Sequence, residues 1–522
     1  MLQVKEDPSR DWFSLLRKPS GISEGFRSGK NVVFVNGTKL CWSPMDGRGD
    51  SDDWRGTTGG SIAGLTRPKY TLELSAEVSV PNPGYASVIR DSLWVTSFFM
   101  LPGKKGGITK VGLSDGAVTK CKWGLGWPNE VIEVPEIVDS SNNSYNGNNS
   151  NNIIQSGGSH SPHQGAILVC DGFFVPGKNQ GGIYMVVSPT FPTERIIQVT
   201  VPKDGWYYHH AVWVDMTGDG NQNDILAARA KGIGEGGELV WFENQVANGW
   251  KENVLIEGPD VTFAVVQLGD DDTFEVIAPE FFSKKVMLYS ISRRGVDGTS
   301  PPSIVFSRTI DDNCGFAYGI ALMPASKSSQ NLYRNKIIDG GGLQKSSIDD
   351  DTSFTHVIVT NHENSNYGDG DNGEVFGSCE IGGAMFSYAV PSDWRAGSWA
   401  RETVSSSPFE VCSRLSFQPG APGFPYIFKP DLDKDENYIA LAGDGSERAY
   451  IFRPKEEEWT TGGGKSCLNY ELMAEIEFGC TVGSMGISHG KIFGSKGQGR
   501  MANLFVCCHE NDYVFTFSFA RK

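Results

Sequence analysis

The chain has 522 residues, a formal net charge of −16 and a pI near 5, with 64 glycines and 13 tryptophans. An acidic surface repels phosphate backbones, which argues against nucleic-acid binding. No apolar run is long enough to span a bilayer, and long amphipathic helical patterns are nearly absent. Short β-rich runs between Gly, Asn, Asp and Pro turns dominate instead.

Residues 1–70 form an N-terminal extension with no readable structure, and its first residues are not a signal peptide. N-x-S/T sequons at Asn36, Asn142 and Asn148 slightly favour the secretory pathway over the cytoplasm. The Asn/Ser-rich segment 139–158 reads as a loop within one domain spanning 71–522. The ten cysteines are too few for a disulfide scaffold and read as small buried apolar residues.

From residue 71 onward one unit recurs. Its anchor is an apolar strand ending in a small and then, usually, a polar residue: Leu93 to Ser97, Ile167 to Asp171, Ile225 to Arg229, Val276 to Glu280, Val357 to Asn361, Ile439 to Gly443 and Leu504 to Cys508. Such continuous apolar runs suit strands buried on both faces. A second run follows each, often opened by Gly-Gly, as at Gly236-Gly237 and Gly382-Gly383. A more polar run then precedes the next unit; Val131 to Val138, Arg195 to Val201 and Ser303 to Ile310 read as outer edge strands. Four strands per unit make a propeller blade, so the expected fold is an all-β propeller of seven blades, with six or eight still open. The orphan strand Thr71 to Val78 has no unit of its own. It is expected to pair with the last strand, Val514 to Phe519, and close the ring.

The unit Asp215-Met216-Thr217-Gly218-Asp219-Gly220-Asn221-Gln222-Asn223-Asp224, followed by Trp241-Phe242-Glu243-Asn244, resembles the FG-GAP/VCBS repeat. In that family the loop can cage Ca²⁺ with alternating oxygens, which implies a possible structural ion at Asp215, Asp219 and Asp224 and, by weaker likeness, at Asp431, Asp433 and Asp435. Thr217 stands where the family has a second acid, and Glu436 where it has glycine. The single-chain form with an Asn-rich insertion also resembles fungal propeller enzymes. The inner-strand and W-x-E-N patterns are similar to the propeller of aldos-2-ulose dehydratase. By class and size the chain is similar to the hetero-Diels–Alderases of tropolone–sesquiterpenoid biosynthesis.

The repeat assigns one face to the loops that lead into inner strands and those that follow second strands. On it the sequence places His209, His210, Arg229, Glu280, His362 and His509 as acid–base or oxyanion candidates. Tyr85, Phe98, Asp171, Phe173, Tyr208, Phe263, Phe281, Asn361, Phe424 and His489 are expected to line the binding surface. Aromatics with a few acids and one Arg suit an apolar, oxygenated small molecule. No G-x-S-x-G, H-E-x-x-H or phosphate-binding glycine loop occurs. Two functions stay open. One is a cofactor-free enzyme promoting dehydration, elimination or ring-forming addition. The other is a non-catalytic glycan- or protein-binding module, with a carbohydrate lyase or dehydratase as a third variant.

Overall fold

In the computed structural model the described residues run from 70 to 521, apart from several loops, the longest being 136–165, 340–352, 364–381 and 456–467. The extension before residue 70, the Asn/Ser-rich loop and the three sequons lie outside them. Among the described residues there is no helix, hence none long and apolar enough to cross a membrane.

Seven antiparallel sheets form a seven-bladed β-propeller. From the inner strand outward, blade I is Pro83–Ile89, Ser92–Ser97, Gly107–Gly112 and Val118–Lys120. Blade II is Pro128–Glu133, Ile167–Asp171, Gln180–Val187 and Arg195–Gln198, with Lys203–Asp204 also on its third strand. Blade III is Trp206–Val214, Asp224–Lys231, Gly237–Asn244 and Trp250–Glu257; blade IV is Ala264–Gln267, Thr273–Glu280, Lys285–Ser292 and Ser303–Asp311. Blade V is Ala317–Pro324, Phe354–Asn361, Ala384–Ala389 and Arg401–Ser405; blade VI is Pro425–Phe428, Tyr438–Ala442, Arg448–Pro454 and Tyr470–Glu477.

Blade VII takes three strands from the C-terminus, Val482–His489, Ala502–Cys508 and Tyr513–Arg521, and its outer strand, Tyr70–Ser79, from the N-terminal side. The expected closure is therefore present, paired from Tyr70↔Arg521 to Ser79↔Tyr513 with one register shift between Leu74 and Ala76. One expected outer strand moves. The segment from Val131 belongs to Pro128–Glu133, the inner strand of blade II, while Val118–Lys120 is the outer strand of blade I. The blade I outer strand is only three residues long, too short for its alternation to register as a strand in the sequence.

The apolar second strands are explained by packing between blades. Side chains alternate across a strand, so each second strand feeds two cores. Ile225 and Ala227 join the cluster between blades II and III, with Leu168, Ile183 and Phe242. Leu226 and Ala228 join the next one, with Val265, Val276 and Trp241. Seven such clusters occupy the seven junctions. Besides Lys203–Asp204, one more strand departs from the four-strand pattern. Lys336–Asp339, from the connection inside blade V, pairs with the inner edge of blade IV and so lies toward the axis.

Candidate functional site

Inner strands begin, and second strands end, on the same face, here called the upper face. Close to it the inner strands of blades I, II, III, V and VII each carry a register shift. Bulges of this kind bend a strand and re-aim its side chains. Just below lie the equivalent pairs Ala86↔Val95, Val131↔Val169, Ala211↔Ala227, Ile320↔Val359, Pro425↔Leu441 and Met485↔Val506. The residues immediately before them are Tyr85, Glu130, His210, Gly319, Phe424 and Ser484. They occupy one level of the ring, which no spacing in the degenerate sequence reveals.

This level is tied together blade to blade. The Thr96 hydroxyl donates to the Asn129 carbonyl at 2.8 Å, and Asn129 Nδ2 donates to the His209 carbonyl at 3.1 Å. His209 Nδ1 lies 3.2 Å from the Asp260 carbonyl, which joins blade III to the approach of blade IV. The Ala86 N–H donates to Ser484 Oγ at 2.8 Å, and the Met485 N–H to the Tyr426 hydroxyl at 2.9 Å.

At this level His210 meets Glu130 of the neighbouring blade. Its Nδ1 is 2.5 Å from Glu130 Oε2, with both side chains almost fully buried. A carboxylate only accepts, so Nδ1 carries a proton toward Glu130; in the neutral imidazole the lone pair is then on Nε2, which is itself buried. The ring of Phe263 meets the imidazole edge-on at 4.7 Å. Burial, then the charges of Tyr426 and Glu130, push the Tyr85 phenol well above its usual range, so it stays protonated. Burial does the same to Tyr426.

An aromatic row continues from Tyr85. Its centroid is 5.7 Å from Phe424, which is 4.6 Å from Tyr318, which in turn stacks on His362 at 4.3 Å. Phe281, half-buried, packs on Phe316 and His362. Around the ring, Phe98 stacks between Trp127 and His509 at 6.0 and 4.4 Å. Burial lowers the His509 imidazole below its ordinary value.

Several expected site residues serve the scaffold through the contacts seen here. Asp171 accepts the Gly126 and Trp127 N–H groups and pins the loop before blade II. Glu280 accepts from the Ser283 and Tyr289 hydroxyls, and burial raises its carboxyl. Asn361 Nδ2 donates to the Gly382 carbonyl. Asp260, missed in the sequence, accepts the Phe281 and Phe282 N–H groups at 3.0 and 2.8 Å. Full burial pushes its carboxyl up to about 7 against those bonds.

Three expectations are corrected in position. Arg229 sits at the upper end of its strand, but its guanidinium runs outward to Glu238 and Glu252 on the third and outer strands, with Trp206 stacked on it at 4.2 Å. Tyr208 goes with it, its hydroxyl 3.1 Å from Arg229 Nη1, in the core between blades II and III. A strand end fixes the level of a side chain; side-chain parity decides which of the two neighbouring blades it faces. His489 ends its inner strand opposite Ala502, so it lies on the lower face, bonded to the Lys429 carbonyl at 2.7 Å. Phe173 and Asp219 lie outside the described residues.

The five described acids of the two expected ion-binding loops make these contacts. Asp215 accepts from Thr217 and the Gly218 N–H, an Asx-type turn. Asp224 accepts the Asn244 N–H at 2.8 Å. Asp431 and Asp433 both meet Arg521, and Asp435 meets Lys429. Among the described residues no group of three or more His, Cys, Asp or Glu is arranged to hold a metal ion.

No family model matches the chain and no curated protein matches it. It is similar in fold to solved structures of very different sequence. A candidate 6-phosphogluconolactonase of Bacteroides uniformis aligns with TM-score 0.43 and 9% identity over 82% of this chain and 92% of its own. The N-terminal domain of Nup159 aligns with TM-score 0.39 and 9% identity, covering 87% and 97%. A second candidate 6-phosphogluconolactonase, from Bacteroides fragilis, aligns with TM-score 0.39 and 11% identity, covering 83% and 92%.

Proposed function

We propose that the upper face binds an oxygenated, largely apolar small molecule and promotes loss of water, or a ring-forming addition, by proton transfer through His210. The observation that carries this reading is the buried His210–Glu130 pair, contributed by adjacent blades at equivalent level. Glu130 orients the imidazole and offsets the positive charge it gains, the role of the third group in a base–orienter pair. In a dehydration, Nε2 would take the proton α to a carbonyl, and as the enolate collapses the Cβ–O bond would break, the departing hydroxyl taking that proton back from Nε2 and leaving as water. A phenol kept protonated by burial, Tyr85, would hydrogen-bond the developing enolate oxygen. Arg229, engaged elsewhere, has no part in this. The aromatic row from Tyr85 to Phe281 would hold the apolar body of the substrate, and for an addition would bring two reactants together.

The test is turnover of a panel of β-hydroxyketones and ketosugars, followed by enone absorbance. The wild-type protein is expected to exceed the buffer rate, and His210→Ala to lose about 10²–10⁴-fold of that gain. Glu130→Gln is expected to lose less and to shift the pH profile. Saturable binding without turnover, unchanged in His210→Ala, would replace this reading with that of a non-catalytic binding module.

A further inference from the structure

A second polar pair lies at the junction of blades V and VI. His362 directly follows the second strand of blade V, and Asp444 lies two residues past that of blade VI. His362 Nδ1 is 2.9 Å from the Pro422 carbonyl. A carbonyl only accepts, so Nδ1 carries the proton and Nε2 the lone pair. Nε2 lies 3.8 Å from Asp444 Oδ2, too far for a hydrogen bond. One oxygen atom about 2.8 Å from each would bond both.

Neither partner is placed to close that gap. The imidazole is stacked on Tyr318, with planes 26° apart, and tied by Nδ1. Asp444 holds a left-handed backbone, φ 48°, costly for a residue with a Cβ. Blade VII fixes it there: the Asp444 N–H donates to the Val482 carbonyl at 3.0 Å, and the Val482 N–H returns the bond at 3.3 Å. The Asp444 side chain keeps 12% of its surface exposed, which leaves an approach to the pair.

The protonation states complete the picture. Burial lowers the His362 imidazole to about 4. Burial and then the charge of Glu510 raise the Asp444 carboxyl well above its usual range. At this pair an imidazole nitrogen can accept and a carboxyl that keeps its proton can donate, together the complement of an alcohol, which donates and accepts through one oxygen.

We propose that His362 Nε2 and Asp444 Oδ2 form a recognition site for a single hydroxyl of a neutral ligand whose ring lies along Tyr318 and Phe424. This rests on the upper face being the ligand face, and not on proton transfer by His210.

The experiment uses the full chain at pH 6, with cyclohexanol and cyclohexyl methyl ether as probes, titrated by saturation-transfer NMR. The ether accepts but cannot donate to Nε2. Cyclohexanol is expected to bind about tenfold more tightly, the worth of one hydrogen bond to a buried partner. His362→Phe keeps a stacked ring and is expected to abolish the preference. Asp444→Asn, which keeps a donor and tolerates positive φ, is expected to retain most of it. Equal affinity of the two probes, no saturable binding of either, or a preference that survives His362→Phe overturns the proposal. The wild-type comparison decides even where a variant fails to fold. Repeating it in His210→Ala separates the two readings: the preference persists there whatever becomes of turnover.

Discussion

His362 and Arg229 are both polar residues at the upper ends of second strands, yet their surroundings give them opposite characters. His362 is buried, stacked on Tyr318, and its proton is committed to the Pro422 carbonyl. Its imidazole is therefore expected to stay neutral down to about pH 4, visible in ring-nitrogen NMR shifts. Because its folded value is depressed, the stability it contributes is present above the unfolded pKa of about 6.5 and lost as pH falls toward 4. Arg229 is almost fully buried and is neutralised by Glu238 and Glu252. Arg229→Ala would take the cation from Glu238, while Glu252 keeps Lys203, and is expected to destabilise the fold by about 3 kcal/mol, measured by denaturant unfolding, while leaving ligand binding at the upper face intact. The sequence marked both residues through the repeat. It could not separate them, because the distinction lies in which neighbouring blade each side chain meets.

At the scale of the strand, two faces in two cores account for the apolar second strands. Leu226 is fully buried between blades III and IV. Leu226→Ala is expected to cost about 2–5 kcal/mol, read from the shift in unfolding midpoint. The turn between the second and third strands of blade IV depends instead on Asp260, whose carboxyl accepts the Phe281 and Phe282 N–H groups. Its folded pKa is raised to about 7, so its contribution is fully present below about pH 4 and is lost as pH rises through 7. Relative to Asp260→Asn, which removes the titration, the wild-type melting temperature is expected to decline between pH 4 and 7. The second strands were legible because burial on both faces demands an unbroken apolar run. The inner strand Pro128–Glu133 was not, because it is short and half polar, and Glu130 went unseen with it.

For the whole molecule the decisive contact is between its two ends. Tyr70–Ser79 and Tyr513–Arg521 pair along their full length, and Leu72 and Phe519 share the core between blades VI and VII. A chain beginning at residue 80 would leave the edge of blade VII unpaired. It is expected to melt at clearly lower temperature and to self-associate through that edge, seen by thermal unfolding and light scattering. The closing strand was readable in the sequence, since a repeat that ends one strand short needs its missing member from elsewhere. The sequence by itself determined the all-β class, the seven apolar anchors and this closure, because each follows from local hydrophobic pattern and its count. Only the tertiary structure decided which polar residues meet. Glu130 and His210, or His362 and Asp444, are brought together by bulges, blade twist and the packing of neighbouring blades. Those act between segments 80 residues or more apart, where no periodicity along the chain records them.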